Sequence, residues 1–71
     1  MSLKNNLKDY RFKADINQQD FGTCVGVSRQ TISLIERGDY SPSVTLALKI
    51  AKYFNVNVED IFTYEEDNDE E

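Results

Sequence analysis

Histidine is absent from the sequence and cysteine occurs once, as Cys24. A single thiol builds neither a disulfide framework nor a zinc site, and the commonest general base is missing. Metal binding and imidazole-dependent catalysis are therefore excluded, and an intracellular, cytoplasmic setting is expected. Long apolar runs are also missing. None approaches the ~20 residues that span a bilayer, and no charged-then-apolar segment with a cleavage site opens the chain. No helical stretch is both basic and strongly apolar, which speaks against a membrane surface. Nothing alternates with period two, so no sheet is expected. There is no Gly-rich phosphate loop and no nucleophile–base set, and 71 residues leave little room for a closed pocket. The chain reads as a non-enzyme without cofactor or small-molecule ligand.

What is present suffices for one small domain. Hydrophobic residues make up 39% and charged residues 30%, the proportions of a compact fold. The formal net charge of −5 is unevenly placed. Glu65 to Glu71 reads "EEDNDEE", six acids in seven residues, whereas residues 1–64 hold all eight Lys and Arg against seven acids. Residues 1–64 thus form a nearly neutral folded part, and 65–71 are expected to be a solvated, disordered acidic tail.

Leu3, Leu7, Tyr10 and Ala14 recur at helical spacing with polar residues elsewhere, predicting a first amphipathic helix. Arg11 lies beside that stripe, where a charge needs a partner. Asn17, with Asp20 three residues on, signals the N-cap of a second helix through Phe21 to Val25, which Gly26 breaks. Val27 can pack inward from the turn, Ser28 caps a third helix to about Arg37, and Gly38 ends it. Either Ser41, with Pro42 in the first turn, or Ser43 caps a fourth helix. There, Val44, Ala47, Leu48, Ile50, Ala51 and Phe54 make an apolar face broader than a surface helix needs, which marks this helix as central. Asn57 and Asp60 open a short fifth helix, with Ile61 and Phe62 available to the core.

The segment from Gln18 to Arg37 is the informative one. Its apolar positions are Phe21, Val25, Val27, Ile32 and Ile35, with Gly22 small at a close crossing and Gly26 at the turn. Two helices so patterned pack steeply on one core and leave the outer face of the second free. That geometry suits insertion into the DNA major groove.

The sequence "NQQDFGTCVGVSRQTISLIERGDYSPS…ALKIAKYFNVNVEDIF" resembles the helix-turn-helix domain of Cro/CI-type (XRE) repressors over roughly residues 3–64. "GVSRQTIS", "IERG", "SPS" and "LKIAKYF" stand in family order and spacing. The resemblance implies an all-α fold, a compact five-helix bundle of the lambda-repressor-like kind. Its helix-turn-helix motif covers 18–37, with Gln18–Val25 as positioning helix and Ser28–Arg37 as recognition helix. Arg29, Gln30, Ser33 and Leu34 would then face base edges: Arg suits the two acceptors of guanine, Gln the donor–acceptor pair of adenine, and Leu a thymine methyl or sugars. Gln18 would bond a phosphate, aided by free N–H groups and the helix dipole. Ser28 is assigned to a cap and a phosphate, Thr31 to capping or a phosphate contact. Tyr40, Ser41 and Ser43, helped by Arg37, would hold the backbone on the far side. Arg11 and Glu36 match as a partly buried ion pair that orients the recognition helix rather than adding net stability.

Three departures from the family pattern stand out. Gly22 replaces the commoner Ala, at a helix-propensity cost of up to ~1 kcal/mol. Thr23 and Cys24 replace charged or long residues, and Leu34 replaces Lys or Arg, which removes an electrostatic contact. With the acidic tail, this predicts modest non-specific affinity and greater reliance on base contacts. The implied function is a sequence-specific transcriptional regulator, bacterial or phage-encoded, that binds double-stranded DNA and most simply represses. One recognition helix reads few base pairs, so a homodimer on a palindromic operator is expected, with recognition helices about 34 Å apart. Tyr53, Phe62 and Tyr64 are candidates for a dimer surface; equally, Phe62 completes the core and Tyr64 belongs to a fraying end. The alternative is a protein-interaction module on the same scaffold, an antitoxin-like or antirepressor partner, whose acidic tail engages a basic groove on a protein partner or competes with DNA for one.

Overall fold

In the computed structural model, which describes residues 2–66, five helices are closed by a short pair of strands: β1 (Ser2–Asn5), α1 (Leu7–Lys13), α2 (Gln18–Val25), α3 (Arg29–Glu36), α4 (Val44–Phe54), α5 (Val58–Ile61) and β2 (Phe62–Glu65). Local chemistry sets the helix starts. The Asn17 side chain accepts from the Asp20 N–H at 2.7 Å, and the Ser28 hydroxyl from the Thr31 N–H at 3.2 Å. Ser43, not Ser41, caps α4, accepting from the Leu46 N–H at 3.1 Å. The Asp60 carboxylate reaches back to the Asn57 N–H at 2.9 Å. These bonds satisfy donors that a helix N-terminus leaves without an intrahelical partner.

The turn between α2 and α3 depends on two glycines. Gly26 takes the left-handed conformation at φ 85°, which a β-carbon disfavours. Gly22 lies against the incoming chain: a β-carbon there would sit 2.6 Å from the Val27 carbonyl oxygen. Gly22 thus makes room for a close backbone approach in this corner, which a β-carbon would force to shift. Val27 N–H donates back to the Gly22 carbonyl at 2.8 Å and draws the corner tight.

The core contains Leu7, Phe21, Val25, Ile32, Ile35, Leu46, Ile50, Ala51, Ile61 and Phe62. Phe21 stacks on Phe54 at 5.3 Å between ring centroids and meets Tyr53 edge-on at 5.2 Å, joining α2 to α4. Phe62 is therefore a core residue. The apolar face of α4 is less completely used than its breadth implied: Leu46, Ile50 and Ala51 are buried, but Val44 is 77% and Leu48 56% exposed.

The expectation of a purely helical fold is corrected by the sheet. β1 runs antiparallel to β2, with Leu3 opposite Tyr64 and Asn5 opposite Phe62. Consequently α1 starts at Leu7, and Leu3 belongs to a strand although it falls on the same helical stripe. Two four-residue strands are too short to show an alternating pattern. Their pairing depends on α5 returning the chain to its start, where the Asn6 N–H donates to the Ile61 carbonyl at 3.0 Å. Glu65 closes β2, so the boundary drawn at 64 falls within a strand. The remainder of the acidic segment, 67–71, lies outside the described residues.

Candidate nucleic-acid interface

α3 is divided into two faces by its own periodicity. Ile32 and Ile35 point into the core; at about 100° per residue Gln30 lies opposite them with Ser33 and Leu34 on either side, and Arg29, in the first turn, flanks that face on the side of Ile32. Arg29 and Gln30 are exposed; Ser33 and Leu34 are half-buried at the margins of that face. The guanidinium and amide side chains therefore share one solvent-facing surface.

The rest of the predicted contact set surrounds this helix, but several of its members already have partners. The Ser28 hydroxyl caps α3 and lies 3.1 Å from the Thr31 hydroxyl, so both are engaged at the helix start. Ser43 is likewise occupied in capping α4. Arg37 Nε pairs with Asp39 Oδ2 at 3.3 Å on the exposed loop, leaving its other guanidinium nitrogens directed to solvent chemistry. Tyr40 and Ser41 are exposed in the same loop.

Beneath the surface, one cluster links three helices. Arg11 of α1 donates from Nε to Glu36 Oε2 at 2.6 Å and from Nη2 to Oε1 at 3.2 Å. Both side chains are nearly enclosed, 7% and 5% exposed. Arg11 Nη1 also donates to the Ile16 carbonyl at 3.0 Å, bracing the α1–α2 connection. Gln18 Nε2, at the first residue of α2, donates to Glu36 Oε1 at 3.1 Å. An amide nitrogen carries two hydrogens. One is held by Glu36, and the other stays available at the N-terminus of α2. The carboxylate that orients this amide is itself neutralised by Arg11.

Asn5 was not singled out from the sequence, yet it anchors α3. Its Nδ2 donates to the Ile35 carbonyl at 2.9 Å, while its Oδ1 accepts from the Leu7 N–H at 3.1 Å. The contact joins residues thirty positions apart, and no local pattern signals it. On the other side of the bundle, Tyr53 lies against Cys24. Loss of solvation, then the Cys24 charge and a hydrogen bond to its thiol, raise the Tyr53 hydroxyl above the ordinary phenol pKa. Among the described residues no helix is long and apolar enough to cross a membrane.

Comparison with known proteins agrees with this architecture. The chain is 55% identical over 65 residues to an uncharacterized HTH-type transcriptional regulator of Methanocaldococcus jannaschii, covering 92% of this chain and 98% of that protein. It is 48% identical over 66 residues to the uncharacterized HTH-type transcriptional regulator YgzD of Bacillus subtilis, covering 93% and 100%. Among solved structures, the SOS-response transcriptional repressor LexA from Eubacterium rectale superposes with a TM-score of 0.73 at 33% identity, over 78% of this chain and 58% of that one. The helix-turn-helix family model matches residues 7–61, which run from the first residue of α1 to the last of α5. A capped two-helix corner, a clamped second helix with a free polar face, and this match together place the chain in the Cro/CI-type helix-turn-helix family.

Proposed function

We propose that this protein is a sequence-specific transcriptional regulator that binds double-stranded DNA through α3 and acts as a repressor, as a homodimer on a palindromic operator. The observation that carries the reading is the free surface of α3, with Arg29 and Gln30 exposed while Ile32 and Ile35 are buried. Side chains with these donor–acceptor sets discriminate bases in the major groove, whereas a helix merely covering a core has no use for them. Arg29, Gln30, Ser33 and Leu34 read base edges. Gln18 offers its second amide hydrogen to a phosphate, supported by the N-terminal dipole of α2. Ser28, Thr31, Arg37, Tyr40, Ser41 and Ser43 border the backbone on either side.

Mechanistically, repression needs no chemistry beyond occupancy. A bound dimer excludes other proteins from the same stretch of duplex. The buried Arg11–Glu36 pair sets the angle between α3 and the rest of the bundle, and with it the register of base and phosphate contacts. The test is selection from a random DNA library followed by motif discovery. An enriched motif with two related half-sites, protected at positions facing α3, is the expected result. Retention of DNA without any enriched motif, in low salt and with dimer present, would refute sequence-specific regulation and favour a protein-interaction role.

A further inference from the structure

The carboxyl end of a helix leaves carbonyl oxygens without intrahelical partners. At the end of α3 the Gly38 N–H donates to the Ile35 carbonyl at 2.9 Å and the Asp39 N–H to the Leu34 carbonyl at 2.9 Å, which turns the chain into the 37–43 loop. A carbonyl oxygen has two lone pairs. The second bond to the Ile35 oxygen comes from Asn5 Nδ2, also at 2.9 Å. The same half-buried side chain accepts from the Leu7 N–H at the start of α1, and Asn5 stands opposite the buried Phe62 in the sheet. One residue thereby ties β1, α1 and the end of α3 together.

We propose that Asn5 is a positioning residue for DNA binding, acting through the Ile35 carbonyl to fix where α3 ends and where the 37–43 loop departs. Burial of Ile32 and Ile35 holds α3 against the core, but apolar attraction is non-directional and does not by itself set a helix along its axis. A hydrogen bond weakens steeply as its length and angle leave their preferred range, so the Asn5 contact supplies that setting. Two consecutive residues of α3 are then held from the first part of the chain. Asn5 grips the main chain of Ile35, and Arg11 grips the side chain of Glu36. The two grips differ in consequence. A carboxylate on rotatable bonds leaves its helix some play, whereas the main chain carries both the base-facing side chains and the loop. This role rests on the DNA-binding reading above, in which those groups meet bases and phosphates.

Asn5→Ser and Asn5→Asp separate positioning from the start of α1. Each keeps an oxygen able to accept from the Leu7 N–H, and each loses the donor to Ile35: the hydroxyl of N5S is too short, and the ionised carboxylate of N5D has no hydrogen. Both variants of the full chain are compared with wild type by fluorescence anisotropy, on the operator recovered by selection and on random DNA. The temperature is one at which circular dichroism shows every protein folded. Operator affinity should fall about tenfold and the operator-to-random ratio about fivefold, because base contacts need the helix setting while non-specific attraction depends on charge. Taking the ratio also cancels the general repulsion added by the charge of N5D. Amide NMR shifts should change most between Leu34 and Tyr40. A residue that merely stabilised the fold would lower the melting temperature and leave the folded protein's ratio unchanged. A ratio within twofold of wild type in either folded variant would overturn the proposal, as would failure of both to fold. If wild type itself enriches no DNA motif, the regulatory reading falls and the positioning role with it. If wild type enriches one and the variants match it, only the role of Asn5 falls.

Discussion

Replacing Arg11 by alanine removes a guanidinium from a pair whose side chains are 7% and 5% exposed, and leaves the Glu36 carboxylate behind without its counter-ion. Breaking a buried pair from one side costs about 3–5 kcal/mol, because the remaining charge is held away from water. The loss here extends further, since Nη1 also satisfies the Ile16 carbonyl. A domain of 71 residues has a total stability on the order of 4–11 kcal/mol. One substitution therefore removes a large share of it, and the melting temperature should fall by roughly 12–40 °C. The informative control is the double variant Arg11→Met with Glu36→Leu. Apolar replacement of both partners removes the unpaired charge and should return stability to within about 2 kcal/mol of wild type, or exceed it. It should nevertheless bind DNA more weakly, and by the same factor on all sequences, because Gln18 loses the carboxylate that holds its amide. Thermal and urea unfolding followed by circular dichroism, with fluorescence anisotropy on operator and random DNA, measures both effects. A single Arg11→Ala variant within about 1 kcal/mol of wild type would refute the account of this pair as a structural clamp.

Substituting Arg29 or Gln30 by alanine should cost about 1–3 kcal/mol at the best site and relax preference at one base pair, whereas an equal loss on every sequence would reassign them to phosphate. Gly22→Ala should lower the melting temperature despite alanine's helix-propensity advantage of ~1 kcal/mol, because the new methyl group would sit 2.6 Å from a backbone oxygen that cannot move freely. A rise in melting temperature would show that the corner relaxes. Removing residues 67–71 deletes four acids and leaves β2 whole. Non-specific DNA affinity should then increase at low salt and converge with wild type as salt rises, and an unchanged affinity at low salt would place those charges far from the duplex.

Much of the helical framework is written in short-range chemistry. Asn17, Ser28 and Asn57 sit at helix starts because their side chains or backbone groups answer unpaired donors and acceptors within three residues. Gly26 ends α2 because it takes a positive φ. Such signals involve neighbours in the chain and are legible without a fold. So is the division of α3 into an apolar and a polar face, since helical periodicity alone separates Ile32 and Ile35 from Arg29 and Gln30. Which helix carries the candidate contact residues was therefore apparent from the amino-acid order.

Tertiary structure decided what depends on distant groups meeting. Asn5 reaches the Ile35 carbonyl only once α5 has returned the chain to its start. The same closure makes strands of residues 2–5 and 62–65, segments too short to advertise pairing. Gly22 leaves room for the approach of the Val27 carbonyl, a steric fact that propensity does not contain. Leu48 was apolar enough to be assigned to the core, and its exposure emerges only from the finite room beneath α4. Local order determined where helices begin and which faces they offer, because capping and periodicity act over a few residues. The packed bundle determined which of those faces remained uncovered, because burial is shared among elements and is settled when they come together.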